Sequence, residues 1–359
     1  VRDEIIQRLG MREPRIFVRG FDRPNIWLGV EPFHDVTEKQ NALIKRVIDV
    51  EKPGIVYAAT RKHSEEIAEK LCKKGVQAVH YHAGMKAGER EKVQTAFMAD
   101  EVEVIVATTA FGMGVDKLNV RFVFHYDISD SLDSYYQEIG RSGRDGEQAK
   151  AILFYNAHDL NIRRFFASGG KVDVDEVLQV AEAVKNVETP LEPEDLQKQT
   201  KLSASKVTKV LSRLEEVEAV EILPTGEVTQ SEAEVNQEQA AQAAAIAQEK
   251  QQKFLQSRLE MMRNYAEVRD CRRRFLLNYF GEPRQKACGF CNNCQAGIVV
   301  EENLQNQPFA INSAVIHTNF AKGRVLRYEG DKMVILFDKV GYKTFAVELV
   351  EGMLKQIDE

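Results

Sequence analysis

Arg141 and Arg144 stand three positions apart in the run Gln137-Glu-Ile-Gly-Arg-Ser-Gly-Arg144, with only small residues between them. If the segment is helical, both arginines share one face, and the small residues let that face approach another surface closely. Cations so placed suit phosphoryl chemistry, which depends on positioning and on positive charge set against the γ-phosphate. The competing reading is a surface helix with a salt-bridging arginine pair. Two further polar turns follow apolar strand-like runs: Val106-Ala-Thr-Thr-Ala-Phe-Gly-Met-Gly-Val-Asp116 and His80-Tyr-His-Ala-Gly-Met85. Their glycines permit tight loops, and threonine hydroxyls and backbone N–H groups can hold phosphate. In α/β sheets such turns lie at the strand ends where ligands bind. A separate constellation is Cys271, Cys288, Cys291 and Cys294, spaced C-x16-C-x2-C-x2-C. Four thiolates with no open position suit a closed, tetrahedral, structural Zn²⁺. An iron–sulfur cluster takes the same ligand count. The fifth cysteine, Cys72, reads as an inert core residue of a helix.

Elements must position these groups. From about residue 40 to 165, short apolar runs alternate with helical patterns. Strands are expected at Gly54–Ala59, Val76–His80, Val102–Ala107, Phe122–His125 and Ala151–Phe154, with helices over His63–Lys73 and Glu89–Phe97. Strands separated by helices imply right-handed crossovers and a parallel sheet covered on both faces. After residue 166 the rhythm changes. Val172 to Val187 reads as helix, a short helix closes near Leu196, and Ser203 can N-cap another running to about Glu218. Val220 to Thr229 then reads as a hairpin. Helix, turn, helix, hairpin is the order of a winged helix, whose second helix can enter a DNA groove; a helical spacer is the alternative. Ser231 to Phe280 lacks breakers and predicts one or two long helices, with a polar, Ala-rich start. The last segment switches to period two, with four short strands and turns at Glu329-Gly-Asp and Lys339-Val-Gly, the pattern of a small SH3-sized barrel.

The chain has 359 residues, enough for two or three domains, with 43% hydrophobic and 29% charged residues and a formal charge of −6. That balance argues against indiscriminate nucleic-acid binding, so DNA contact would need local basic clusters such as Arg272–Arg274 or Lys201, Lys206, Lys209 and Arg213. No run approaches the roughly 20 apolar residues of a membrane span. Val1 in place of Met suggests a start inside a longer protein. Five cysteines without a secretory signal fit a reducing compartment, bacterial cytoplasm or nucleoid.

The phrases FDRPNI (Phe21–Ile26), GIVYAATR (Gly54–Arg61), HYHAGM, VIVATTAFGMGVDKLNVRFVFHYD and SYYQEIGRSGRDG resemble the second RecA-like lobe of RecQ helicases, in order and spacing, from residue 1 to about 166. CRRRFLLNYFGE…CGFCNNC resembles the zinc-binding module of the same family. Together with the patterns above, the resemblance gives a multidomain α/β + α protein. Its parts would be a RecA-like parallel-sheet lobe (1–166), a winged-helix-like domain (167–230) and long helices with a four-cysteine zinc-binding module (231–297). A small barrel (309–359) would follow, similar to the SH3/Tudor-like domains at the C-termini of some bacterial helicases and open to a protein partner.

The resemblance also implies a 3′→5′ ATP-dependent DNA helicase acting on single-stranded and duplex junctions. Arg144 would be the arginine finger, Arg141 its neighbour and Gln137 a lobe-interface residue. Asp116 and Gly114 would lie near ATP and Mg²⁺, and Arg61 and Thr108 on the DNA backbone. Arg272 and Arg273 would face DNA from the zinc platform. Neither a G-x-x-x-x-G-K-[ST] loop nor an Asp-Glu-x-His box is present, so negligible ATPase is expected of this chain alone. One departure stands out: the winged-helix-like segment precedes the zinc cysteines instead of following them, which separates Leu223–Gly226 from the family's strand-separating hairpin. The rival reading is a zinc-anchored winged-helix DNA-binding protein without motor activity, and an RNA helicase is a weaker one.

Overall fold

The computed structural model describes residues 8–10, 15, 20–112, 115–168, 174–185, 187, 189–217, 219–223, 225–231, 237–282, 284–299, 307–311, 313–329, 332–338, 340–350 and 352–357. Six parallel strands form the first sheet: β1 (Ile26–Pro32), β2 (Gly54–Tyr57), β3 (Ala78–Tyr81), β4 (Val104–Ala107), β5 (Phe122–His125) and β6 (Ala149–Tyr155). Their order is β1-β6-β5-β2-β4-β3. Strands β2, β4 and β5 are buried along their whole length, as expected for a parallel sheet covered on both faces. Alternate residues feed two cores. Val56, Val106, Phe122 and Phe124 pack under α1 (Val36–Asp49) and α2 (Arg61–Lys73). Ile55, Ile105, Val123 and Leu153 pack with Phe97 of α3 (Ala87–Met98) and with Leu132, Tyr135 and Ile139 of α4 (Leu132–Ile139).

Side-chain caps start three of these helices. Asp35 accepts from Glu38 N at 2.8 Å, Thr60 from His63 N at 3.1 Å, and Ser131 from Ser134 N at 3.2 Å. Strand β1 is the element the apolar pattern missed, since Trp27, Gly29 and Glu31 break the expected run.

Helix α5 (Asp159–Ser168) leads out of the lobe, and α6 (Val174–Lys185), α7 (Pro193–Thr200) and α8 (Ala204–Glu216) follow. Ser203 N-caps α8, as expected. Strands β7 (Val220–Ile222) and β8 (Val228–Gln230) make an antiparallel hairpin. This unit has its own core of Val177, Val180, Leu196, Val207, Leu214 and Val228. Pro224, in the hairpin turn, lies outside the described residues.

Helix α9 (Gln237–Glu267) follows, 31 residues long, or roughly 46 Å at 1.5 Å per residue. Its last turns place Leu259, Met262 and Tyr265 in the same core as the lobe, together with Cys271, Phe275, Leu276 and Cys291. Helices α10 (Arg272–Tyr279) and α11 (Asn292–Gln295) carry the cysteine segment.

The chain ends in a five-stranded antiparallel sheet of β9 (Ala314–His317), β10 (Ala321–Glu329), β11 (Lys332–Phe337), β12 (Gly341–Ala346) and β13 (Leu354–Gln356), in the order β12-β11-β10-β9-β13. The four expected strands are present. The fifth was hidden because it follows a short helix, α12 (Val347–Val350). No described helix is long and apolar enough to cross a membrane.

Candidate functional site

The turns after β2, β3, β4 and β5 leave the same edge of the first sheet. They are held side by side by backbone bonds that continue the strand ladders: Ala58 N to Ala107 O at 2.8 Å, Thr108 N to Tyr81 O at 3.1 Å, and Tyr126 N to Tyr57 O at 2.9 Å. Ligands of parallel α/β sheets collect at this edge. The structure places both arginines of the Gln137–Arg144 run against one of these turns.

The shared helical face is corrected. Helix α4 ends at Ile139, and Arg141 and Arg144 lie in the turn beyond it, because Gly140 caps the helix and Gly143 takes a φ of +56° that ends helical geometry. Arg141 Nη1 donates to Gly112 O at 2.6 Å. A Cβ at residue 112 would collide with the Arg141 guanidinium, and its φ of +154° also calls for glycine. Arg144 donates to Val115 O at 3.3 Å and pairs with the Asp116 carboxylate. Asp116 therefore holds the arginine in place. Gly114 lies outside the described residues, Gln137 is exposed on α4, Thr108 directly follows β4, and Arg61 opens α2.

The turn is buttressed by residues that pattern reading had left without a role. Arg23 donates to Gly140 O at 3.0 Å, Ser142 O at 2.9 Å and Gly143 O at 3.0 Å, and Asn25 donates to Gly143 O at 2.8 Å. Beneath it, Glu138 accepts from Ser129 at 2.8 Å and contacts His125 Nε2 at 2.7 Å. Burial and the Glu138 carboxylate push the Tyr57 phenol well above its usual range, so it stays protonated and donates to Phe111 O at 3.1 Å.

The four cysteine sulfurs lie within 4.8 Å of one another, and Cys288 Sγ and Cys294 Sγ are 3.9 Å apart. Tetrahedral Zn–S bonds of about 2.3 Å put sulfurs roughly 3.8 Å apart, so this donor set fits the ion. Backbone N–H groups already point at the sulfurs: Arg274 N and Cys288 N at Cys271 Sγ (3.4 and 3.2 Å), Phe290 N at Cys288 Sγ (3.3 Å) and Cys294 N at Cys291 Sγ (3.4 Å). They favour thiolates. Hydrogen bonding to Cys271 and Cys288 holds the Cys291 thiol low, whereas burial pushes Cys294 up to about 11. A divalent cation would relieve this competition for protons.

The cysteine segment docks directly on the lobe. Cys291 bridges Leu28, Asn292 donates to Val30 O at 3.2 Å, and Trp27 donates to Gln295 at 3.2 Å. Arg272 and Arg273, expected to face DNA, are turned inward at 4% exposure each. Arg272 donates to Asn292 at 2.5 Å and Tyr265 O at 2.7 Å. Arg273 donates to Asp22 at 2.6 Å, Arg23 O at 2.5 Å and Ile26 O at 2.6 Å. Their donors serve the interface between the lobe and the cysteine segment, and they are buried there.

Residues 38–146 match the helicase conserved C-terminal domain, and residues 227–295 match the RecQ zinc-binding family. The chain belongs to the RecQ helicase family. It is 35% identical to the ATP-dependent DNA helicase RecQ of Pasteurella multocida over 295 residues, covering 82% of this chain and 34% of that protein. The corresponding proteins of Haemophilus influenzae and Bacillus subtilis are 33% and 30% identical, each over 82% of this chain and over 35% and 36% of their own lengths. The chain thus spans about a third of these RecQ relatives. Among solved structures it is similar to the E. coli DEAD-box protein SrmB, at 28% identity and a TM-score of 0.35, over 37% of this chain and 78% of that one.

Proposed function

We propose that the chain supplies the second motor lobe and accessory part of an ATP-dependent 3′→5′ DNA helicase acting in the bacterial cytoplasm. The observation that carries this reading is the meeting of the Arg141–Arg144 turn with the segment that leaves β4 at the ligand-binding edge of the sheet, through Gly112 O and Val115 O. Arg144 acts as the arginine finger, released from Asp116 when a nucleotide phosphate competes for it, and Arg141 fixes the turn through Gly112. Asp116 and Gly114 belong near ATP and its Mg²⁺, and Gln137 meets the first lobe. Arg61 and Thr108 hold DNA backbone phosphates, contacts that position without specifying sequence. The four cysteines hold a structural zinc that fixes the cysteine segment on β1.

The helix–hairpin unit of α6–α8 and β7–β8 is a winged-helix-like module that meets DNA. The terminal sheet is a small SH3/Tudor-like module open to a protein partner.

The test is Arg144→Ala in the full-length protein. DNA-stimulated ATP turnover falls about 10³-fold or more, the scale of an arginine finger, while DNA affinity measured by anisotropy stays within twofold. Unchanged turnover removes the finger role, whereas a parent protein without DNA-stimulated turnover would favour a DNA-binding protein without motor activity.

A further inference from the structure

Outside the cysteine site, the described residues hold one more cluster with metal-ligating chemistry: Glu65, His80 and His82. His80 lies in β3 and His82 directly after it. Their spacing of two puts both side chains on one side of extended backbone. Their rings are nearly parallel, 10° apart with centroids at 5.2 Å. Glu65 reaches them from α2, its Oε1 2.9 Å from His82 Nε2. One donor atom from each residue lies within 4.8 Å of the other two.

We propose that Glu65, His80 and His82 form a second metal site, for a borderline divalent transition ion of the zinc type. The donor set is the first argument. Two imidazoles and one carboxylate suit such ions and leave a position for water or an anion, unlike the closed thiolate set. The mobility of the ligands is the second. Donors around a tetrahedral ion at 2.0–2.1 Å are roughly 3.4 Å apart, so Glu65 has to draw back by about half an ångström from its 2.9 Å contact with His82. The Glu65 side chain is 53% exposed and has room to swing, whereas that of His82 is 7% exposed and fixed. The third is the unspent valence of His82. Its Nδ1 is buried without a hydrogen-bond partner, so the Glu65 contact is its ring's only polar tie among the described residues. A bound ion would pin α2 to β3, the edge strand of the sheet. It would also add charge at the turn where Gly84 leaves room for the Arg61 guanidinium, whose Nη1 lies 2.8 Å from where a Cβ would stand.

The experiment loads the chain with one equivalent of Zn²⁺ at the cysteines, then titrates Co²⁺ by calorimetry and visible absorption. The proposal expects a second, one-to-one event whose d–d bands lack thiolate charge-transfer absorption, weakened at least tenfold in Glu65→Gln and in His80→Ala. Glu65→Gln guards against misfolding, because that side chain is largely in solvent. A wild-type chain with no second event overturns the site, as does a second event unchanged in both variants. The readout is independent of ATP turnover, so failure here leaves the motor reading intact.

Discussion

Lys39 is buried to 1% exposure, with its ammonium 2.7 Å from Asp159 and 3.7 Å from Asp127. Burial pushes the Asp159 carboxyl up to about 6 even beside this cation. Lys39→Ala would strand two buried carboxylates, and breaking such a set costs about 3–5 kcal/mol. Urea unfolding of the variant is expected to show that loss. Asp127 also accepts from the Ala59 N–H at 2.7 Å and meets His63 Nδ1 at 2.8 Å. The hydrogen bond to Asp127 raises the His63 pKa above its ordinary 6.5. A raised histidine contributes stability that is fully present below 6.5 and is lost as pH climbs through the folded value. Melting temperatures measured upward from about pH 6 should therefore decline less steeply in His63→Asn than in the parent. Sequence made the four-cysteine cluster legible at this scale, because its spacing is characteristic, and the four sulfurs do gather. It misled on Arg272 and Arg273, since a run of three arginines reads as surface charge until the carbonyls and Asp22 that receive it are in view.

Among elements, the segment Phe21–Asn25 was recognisable as a phrase but not as a device. Its residues lie over 100 positions from the turn they hold, and no local periodicity records such a contact. Arg23 satisfies three carbonyls of the arginine turn. If Arg144 is the finger proposed above, Arg23→Ala in the full-length protein is expected to lower kcat for ATP about tenfold or more, by letting the turn wander, with DNA affinity unchanged. Turnover equal to the parent's would show that the turn holds itself. The strands were legible where both faces are apolar, as in β2, β4 and β5. Strand β1 was not, because Trp27, Gly29 and Glu31 interrupt its apolar pattern, and its free edge bridges the cysteine segment. The sequence left open whether the arginine run is helical, because two glycines within four residues permit either outcome; in the structure it is a turn packed against Gly112.

For the whole molecule, the lobe and the cysteine segment share one core running from Ile55 to Cys291. Metal removal is thus expected to destabilise the lobe along with its zinc site, since structural zinc binding is folding energy. Circular dichroism melts with a strong chelator should show one transition moved down, with the sheet signal lost in the same step. Two separate transitions would show that the core is not cooperative. The shared core also resolves the unexpected element order. The helix–hairpin unit leaves the lobe after α5 and returns on α9, and these two helices lie together, tied by Arg164 to Glu260 at 2.9 Å. The unit is a detour in the chain whose entrance and exit adjoin. A stretch with adjoining ends can lengthen, shrink or be exchanged without moving either partner in the core it interrupts.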